Sequence, residues 1–441
     1  MKNVIKFTLA AAVSLVALEA SAGGFGVREQ STTAQGASFA GAATSSAGLS
    51  GMYWNPAVIT SIPGINFESH YAGILGYSKL TPTTGTGALI ATRGDSGNLG
   101  VPAIVPSTYA SYQFNDRLFF GISVNAPFGL KTKSEFNWAG QVYGRSSKAA
   151  NFNAAPTIAY KVNDWLSVGA GLQIGYFSVN LKGANPTGPF PAQALTVFAP
   201  NAPSNILTGD GWGVGYTLGA TIKPMAGTEI GIGFRSSVHY DLKGDLTLPY
   251  ATLPIQAKVN LPEMLTIGLR QEIGQQFTAL AGFEWNNWSR MGLQAIRNSG
   301  TGALVNSLSF EYKDSWMASL GGEYKFNNNL TVRAGLAYEK SPVSDEVRSV
   351  RIPDNDRIWA SIGATYKWNE QIALEGAYTH VFVKDPNVNI GPLHSNYIAG
   401  TGNAANLVAN GKSHVDIISF ALKYRFDPPA APVSKALYTK G

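Results

Sequence analysis

The chain has no cysteine, few charged residues and no long hydrophobic run after its first 22 residues. Zero cysteines in 441 residues exclude a disulfide scaffold, a thiolate metal site and a cysteine nucleophile. Charged residues make up 14% of the chain, against roughly 25% in ordinary soluble domains. Because no apolar run of about 20 residues follows, a helical membrane protein is excluded as well. Such a chain can meet lipid only through β-strands.

The first 22 residues have the features of an export signal. Lys2 and Lys6 form a basic start, residues 7–18 are apolar but too short to span a membrane stably, and the small residues 20–22 fit a cleavage site. The formal net charge of +6 is spread along the chain without a basic block, which argues against a nucleic-acid partner. We therefore predict a signal peptide and an exported mature chain.

Hydrophobic residues alternate with small or polar ones along most of the mature chain. In residues 277–285 the large apolar residues share one face, whereas Thr278, Gly282 and Glu284 lie on the other. Residues 358–366 and 420–426 repeat the pattern. A period of two predicts β-strands with one apolar face.

Short polar turns recur along the chain, and a longer connection lies between each consecutive pair. The turns are 115–117, 163–164, 224–227, 274–276, 327–329 and 369–370. They delimit fourteen expected strands, at 65–79, 101–114, 118–130, 149–162, 165–183, 211–223, 228–248, 256–273, 277–297, 304–326, 330–343, 357–368, 371–384 and 412–426. An even strand number with short turns at one end is typical of bacterial outer-membrane barrels. The prediction is an all-β fold, a 14-stranded antiparallel transmembrane β-barrel, closed because lipid leaves no backbone group unpaired.

A glycine-, alanine- and serine-rich segment precedes the first strand. Residues 23–62 are too small to build a core of their own, yet they end in an aromatic and turn cluster at 53–57. We expect this segment to be an N-terminal hatch inside the barrel. The predicted organisation is signal peptide 1–22, hatch 23–62, barrel 63–426 and a flexible periplasmic tail at 427–441, after the last strand.

The third expected strand contains residues that disturb strand pairing. Pro127 has no N–H for the ladder, and Gly129 permits unusual backbone angles, so a break is expected around 125–129. A break in a barrel wall would form a window. The alternative is that 126–129 already belongs to an extracellular loop, where proline and glycine are common.

Several sequence motifs occur in order along nearly the whole mature chain. Through these motifs the chain resembles the FadL-type long-chain fatty acid transporters of the OmpP1/FadL/TodX family. The motifs are GFGVREQS at 24–31, ASFAGAA at 37–43, Asn-Pro-Ala at 55–57, FRSSVHYDLKGDL at 234–246, VNLPEMLTIG at 259–268, SPV at 341–343 and RSVRIPDNDRIW at 348–359. The resemblance implies a monomeric barrel in the outer membrane, surrounded by outer-membrane lipid and lipopolysaccharide. It also implies that long-chain fatty acids or other hydrophobic small molecules leave sideways through the wall, without a cofactor.

The resemblance assigns roles to particular residues. Gly129 matches the glycine at which the family kinks its third strand, so the kink is favoured over the loop. The residues expected at the lateral opening are Asn125, Pro127, Phe128 and Gly129. The residues expected to form the hatch gate are Phe25, Asn55, Pro56 and Ala57. From the chemistry of the triplet 55–57 itself, we expect it to brace the hatch against the kinked third strand, with a plain turn before the first strand as the alternative.

The ligand contacts follow less directly from the resemblance. Ser178 and Leu308 stand about where the fatty acid transporters have an arginine and a lysine. A carboxylate would then need another basic partner, and the nearby cations are Lys182, Arg235, Lys313, Arg348 and Arg351. We take Arg348 and Arg351 as candidates, with lumen or loop charge as the alternative for all five. In the expected loop 184–210, the apolar residues Phe190, Phe198, Ile206 and Leu207 are candidate ligand contacts, with loop self-packing as the alternative.

No enzyme is indicated. The five histidines form no His-x-x-x-His pair, the chain has no Gly-x-Ser-x-Gly elbow, and we assign no catalytic or metal-binding residue. Two function classes remain: a lateral-diffusion transporter, and a general diffusion porin or structural barrel. The hatch favours the transporter, because a plugged porin would not conduct freely.

Overall fold

The computed structural model describes residues 24–88, 90–91, 93–185, 201–398 and 402–426. The predicted signal peptide and tail, and the candidates Phe190 and Phe198, lie outside these residues. Twenty strand segments occur in the described part of the chain. They are β1 Ile65–Pro82, β2 Ala103–Gln113, β3 Leu118–Asn125, β4 Gly129–Lys133, β5 Ser146–Lys161, β6 Leu166–Ala184, β7 Ser204–Met225, β8 Thr228–Arg235, β9 Val238–Leu248, β10 Ala251–Leu261, β11 Met264–Ile273, β12 Phe277–Asn286, β13 Leu293–Asn298, β14 Leu304–Ser309, β15 Ser315–Lys325, β16 Leu330–Lys340, β17 Arg357–Lys367, β18 Ile372–Val383, β19 Val388–Ile390 and β20 Leu407–Arg425.

These segments form one closed antiparallel sheet of fourteen wall strands. Five wall strands consist of two consecutive segments, β3 with β4, β8 with β9, β10 with β11, β12 with β13, and β14 with β15, while β19 adds a short pairing to β20. The wall closes because β1 pairs with both β2 and β20. All six predicted tight turns join neighbouring strands, so the predicted 14-stranded barrel is confirmed.

The wall has an apolar outer face and a largely polar inner one. Leu320, Leu336 and Ile362 are exposed, whereas their chain neighbours Ser319 and Ser361 are buried. This is the alternation that a barrel in lipid requires. The helices of the described residues are short, and none of them has the length and apolarity needed to cross a membrane.

The seventh segment begins earlier than the sequence predicted. Ile206 and Leu207 were expected in a loop, but they lie in β7 and pair with both β6 and β9. Leu207 stands beside Leu181 and Leu246, so apolar cross-strand contacts extend the strand past the expected boundary. The loop placement of these two residues was therefore wrong.

The N-terminal segment, Gly24 to Ser61, packs against the inner side of the wall. It contains the short helix α1, Thr32–Gln35, and two 3₁₀ helices, Ser45–Tyr53 and Pro56–Ser61, and most of its residues are buried. Wall glycines permit this contact. A Cβ atom on Gly231 would lie 1.9 Å from the carbonyl oxygen of Ala43, closer than any real contact.

Buried charges also attach the N-terminal segment to the two strands that close the barrel. Glu68 of β1 accepts hydrogen bonds from the backbone N–H groups of Leu49 and Ser50, both at 3.0 Å. Lys423 of β20 donates to the Thr33 hydroxyl at 2.9 Å and lies 3.5 Å from Glu68. The segment is thus bonded to both sides of the closing seam.

A single methyl group on the wall tests the importance of this close packing. We expect Gly231→Ala to displace the N-terminal segment, because the new Cβ overlaps the Ala43 carbonyl, while the barrel itself still closes. The measurement is limited proteolysis of the segment, with heat-dependent gel mobility reporting the barrel. Gly376→Ala is the matched control, since no atom lies within 4 Å of the added carbon. Equal protease resistance of the two variants would contradict the packing argument.

Candidate functional site

The third wall strand is interrupted between β3 and β4. Asn125 pairs with Asn153 of β5, and Gly129 pairs with Ala150. Between these two pairs the third wall strand has three residues, whereas β5 has two. The extra residue makes residues 126–128 a bulge that contains Pro127. The strand therefore leaves and rejoins the β5 ladder within the stretch singled out from the sequence.

The interruption also ends the pairing with β2. The ladder between β2 and β3 stops at Thr108 and Val124. In the described part of the chain, residues 103–107 of β2 pair with β1 alone. The wall thus lacks one set of ladder hydrogen bonds between β2 and β4.

The N-terminal segment supplies backbone partners to the interrupted stretch. The Val27 N–H donates to the Pro127 carbonyl at 2.8 Å, and the Gly129 N–H donates to the Phe25 carbonyl at 2.8 Å. The side chain of Gln30 donates to the Ala126 carbonyl at 2.8 Å. Residues 25–30 therefore replace the missing ladder partners from inside the barrel.

Gln30 also connects this stretch to β2. Its backbone carbonyl accepts hydrogen bonds from the Ser107 hydroxyl at 2.8 Å and the Tyr109 hydroxyl at 2.7 Å. Asn125 donates to the Tyr109 hydroxyl at 2.9 Å. The polar side chains thus link both sides of the interruption through one residue of the N-terminal segment.

An aromatic cluster surrounds Phe25. Its ring centroid lies 5.0 Å from Trp288, 6.0 Å from Phe128 and 6.4 Å from Phe310. Phe25 lines an apolar cavity, and Phe128 and Trp288 line a second, more polar one beside the interruption. The cluster therefore lies between two internal cavities.

The empty space of the apolar cavity, counted together with the solvent-filled space at its mouth, is about 1080 Å³. Leu207 and Arg351 line it, as does Leu308, where the family resemblance placed a lysine. Ile206, Arg348, Lys182 and Lys313 are absent from this lining. The remaining wall is largely aliphatic and aromatic, and includes Phe177, Leu242, Val259, Ile296 and Tyr312.

Arg351 is the cation of the apolar cavity. Its guanidinium donates to the Ser146 carbonyl at 3.0 Å and to the Ser147 hydroxyl at 3.1 Å. Among the described residues no carboxylate comes within 4.0 Å of it, and burial lowers the pKa of Arg351 to about 10. A positive charge without a counterion in an apolar cavity favours an anionic ligand group.

Arg348 is instead used within the protein. Its side chain is buried and donates to the Asp354 and Asn387 carbonyls, both at 2.7 Å, and to the Asp345 carboxylate at 2.5 Å. The fixed hydrogen bonds explain why Arg348 lines neither cavity. Its position supports a role in loop structure.

The Asn-Pro-Ala triplet holds the N-terminal segment against the wall away from the interruption. Asn55 donates to the carbonyls of Ala43 and Ala220 at 2.8 and 2.9 Å, and accepts from the Ala57 N–H at 3.0 Å. Pro56 begins the second 3₁₀ helix. These bonds reach β7, whereas the interrupted stretch is bonded by residues 25–30. The hydrogen bonds of the triplet therefore do not brace the third strand as the sequence led us to expect.

Charged anchors of the N-terminal segment were not assigned from the sequence. Arg28 bridges Glu284 at 2.9 Å and Glu339 at 2.6 Å, and Asp354 accepts from the Gly24 N–H at 2.8 Å. The only sequence signal for Arg28 is its place in the motif at 24–31. Asp354 lies in an irregular stretch just before β17. In the described part of the chain no group of histidine and carboxylate side chains is arranged to hold a metal ion.

The fold and its apolar outer face define a transmembrane barrel of the outer-membrane type. The family model described as outer membrane protein transport protein (OMPP1/FadL/TodX) matches residues 13–426. The chain belongs to this family and is located in the outer membrane.

Individual relatives and solved structures agree with this assignment. The chain is 28% identical over 409 residues to the long-chain fatty acid transport protein of Escherichia coli O6:H1, covering 85% of this chain and 91% of that one. It is 28% identical over 424 residues to the 47 kDa outer membrane protein of Pasteurella multocida, covering 86% and 93%. The Pseudomonas aeruginosa FadL homologue superposes with a TM-score of 0.79 at 22% identity, covering 92% and 100%. The Ralstonia pickettii toluene transporter TbuX gives 0.63 at 19% identity, covering 91% and 100%.

Glu29 gives the contact between the N-terminal segment and the wall a pH dependence. Its side chain is buried, one carboxyl oxygen has no hydrogen-bond partner among the described residues, and burial raises its pKa to about 7. The protonated Glu29 carboxyl therefore makes its full contribution to the stability of the folded state below about pH 4.5. This contribution is lost as the pH rises to about 7. We expect faster hydrogen exchange of the amides of residues 25–30 at pH 8 than at pH 5, after correction for intrinsic rates.

Glu29→Gln is the control for this prediction, because the amide cannot ionise. Its corrected exchange should be the same at both pH values. An identical pH response in the variant and the parent would assign the effect to another group.

Proposed function

We propose that this protein carries long-chain fatty acids or other hydrophobic compounds across the outer membrane by binding them in the barrel and releasing them sideways near the third strand. The observation that carries the proposal is the apolar cavity, which is separated by Phe25 from an interrupted stretch of wall. An internal route is favoured because each methylene group exposed to water costs about 0.8 kcal/mol. The names of the fatty acid and toluene transporters among its relatives support the same substrate classes.

In this proposal residues 23–62 act as the hatch, and Phe25 is its gate. Withdrawal of Phe25 joins the apolar cavity to the space beside Pro127 and Phe128. Asn55, Pro56 and Ala57 hold the rest of the hatch, because their hydrogen bonds reach β7 rather than the moving contact. The lateral opening is then the unpaired stretch between β2 and β4.

Arg351 is the proposed anchor for a carboxylate head group, and Leu207 contacts the alkyl chain. The arginine and lysine expected from the family are replaced at Ser178 and Leu308, and Arg351 supplies the charge in their place. The protein acts as a monomer in outer-membrane lipid and lipopolysaccharide. It needs no cofactor and is a transporter rather than an enzyme.

Removal of the Arg351 charge should weaken the binding of acids but not the binding of neutral compounds. We expect Arg351→Met to weaken binding of a long-chain fatty acid about ten- to hundredfold, the usual value of a hydrogen bond to a charged group. Binding of the corresponding long-chain alcohol should change little. Equilibrium binding to the purified protein measures both. Arg297→Met, at an exposed arginine of β13, is the matched control, and an equal loss for acid and alcohol would contradict the anchor.

Deletion of Pro127 should close the proposed opening. Two residues would then lie between Asn125 and Gly129, just as two residues lie between Ala150 and Asn153 on β5. The strand could therefore pair without a bulge. We expect fatty acid uptake by cells to fall at least tenfold, while fatty acid binding in the apolar cavity persists. Undiminished uptake would show that ligands leave by another route.

The porin alternative is distinguished by a planar-bilayer recording of the intact chain. A transporter closed by its hatch should show no large, stable ionic conductance. Such a conductance would instead support a general diffusion porin.

A further inference from the structure

The cavity beside the interrupted strand differs from the apolar cavity in its chemistry. Its empty space, counted together with the solvent-filled space at its mouth, is about 580 Å³, roughly half that of the apolar cavity. Val27 of the N-terminal segment and Phe128 of the interrupted stretch form part of its lining. Its lining also includes polar side chains from β5, β6, β8 and β9. Glu284 and Asn286 of β12 line it as well, and the Glu284 carboxylate is paired with Arg28. We call this space the polar cavity.

Arg235 of β8 brings an uncompensated charge to the polar cavity. Its buried guanidinium donates to the Tyr53 carbonyl at 3.0 Å and to the Gln173 side-chain oxygen at 2.6 Å, and it lies 4.3 Å from the centre of the Tyr53 ring. These partners are neutral, and no carboxylate of the described residues comes within 4.0 Å. Arg28, the other arginine in the lining, is paired with Glu284 and Glu339.

Two further groups in the lining have unused hydrogen-bonding capacity. The Tyr240 hydroxyl accepts from Asn151 at 2.9 Å and, within the described chain, donates to no acceptor. A phenol can donate as well as accept, so its hydrogen is available to a bound group. The side-chain oxygen of Asn153 has no partner although the residue is only 2% exposed. Buried polar atoms are normally satisfied. Because an amide oxygen only accepts, this atom needs a donor such as water beside the bound group, and it does not itself bind a carboxylate.

We propose that the polar cavity is a second head-group site, which receives the carboxylate of a long-chain fatty acid after it has passed Phe25. Arg235 supplies the positive charge and Tyr240 donates a hydrogen bond, a combination that is strong in a low-dielectric interior. This inference rests on the proposed function. It narrows the preferred substrates to amphiphiles with an anionic head group, because a hydrocarbon leaves the Arg235 charge without a counterion and the Tyr240 hydroxyl without an acceptor.

The proposal predicts two carboxylate environments on opposite sides of the aromatic cluster. The experiment uses palmitate labelled with ¹³C at the carboxyl carbon, bound to the full mature barrel in detergent, with carbon NMR to count bound signals. We expect two bound signals at saturation. Arg351→Met should remove one of them and Arg235→Met the other, each weakening its own site more than tenfold. Arg235→Lys should restore the second signal.

Several outcomes would overturn the second site without affecting the first. Two unchanged signals in Arg235→Met would do so, as would a single parent signal that only Arg351→Met removes. If no labelled palmitate binds to the parent protein, the proposed function itself fails. Palmityl alcohol labelled at its terminal carbon is the uncharged control, and Arg235→Met should leave its binding unchanged.

Tyr240→Phe provides a second test if Arg235→Met fails to form the barrel. This variant removes only the hydroxyl, and Asn151 keeps its bond to the Tyr176 carbonyl. We expect several-fold weaker occupancy of the second signal and an unchanged first signal. Equal occupancy in the variant and the parent would reject the site.

Discussion

The structure depends on one constraint, the need of every backbone N–H and C=O at membrane depth for a partner within the protein. A regular barrel meets it through the ladder alone. Here Pro127 and its neighbours leave the ladder, and Phe25, Val27 and Gln30 provide the hydrogen bonds instead. The interruption in the wall and the N-terminal segment therefore require each other. If the segment moves, the carbonyl of Pro127 and the N–H of Gly129 lose these partners and need others, such as water or ligand.

The two cavities beside the aromatic cluster differ in the chemistry of their linings. The apolar cavity has a single unpaired cation at its wall, whereas the polar cavity has hydrogen-bonding groups on several strands. A fatty acid has one part suited to each environment. The aromatic cluster of Phe25, Phe128 and Trp288 stands between them and can contact an alkyl chain without competing for its head group. In the proposed route, the head group of a fatty acid therefore leaves Arg351 in the apolar cavity and then binds Arg235 in the polar cavity.

Much of the fold could be predicted from the sequence because its signals are local. Alternation and tight turns defined fourteen strands, since each turn joins neighbours that pair directly. Long-range contacts were not predictable in this way. The partners of Arg28 lie 256 and 311 residues away along the chain, and nothing local marks Arg235 as unpaired. Pro127 was readable as a break in pairing, but its partners in residues 25–30 were not, because that segment has no strand pattern.

The candidate site was predicted unevenly for similar reasons. Arg351 and Arg348 are three residues apart and look equivalent in sequence, yet one lines the apolar cavity and the other bonds its own loop. Ile206 and Leu207 follow a stretch rich in proline, alanine and asparagine, so a loop was the natural expectation. Pairing with β6 decided otherwise. Side-chain direction, rather than residue type, separates the ligand candidates from the rest.

The bonds from the N-terminal segment to Glu68 and Lys423 have a consequence for assembly. These residues lie on the first and last strands of the wall, which are far apart in the chain and must meet for the sheet to close. Because the segment is bonded to both edges, any loosening of the seam also loosens the segment, and loss of the segment leaves Glu68 and Lys423 with fewer partners. The closure of the wall and the filling of its interior are therefore coupled through the same two side chains.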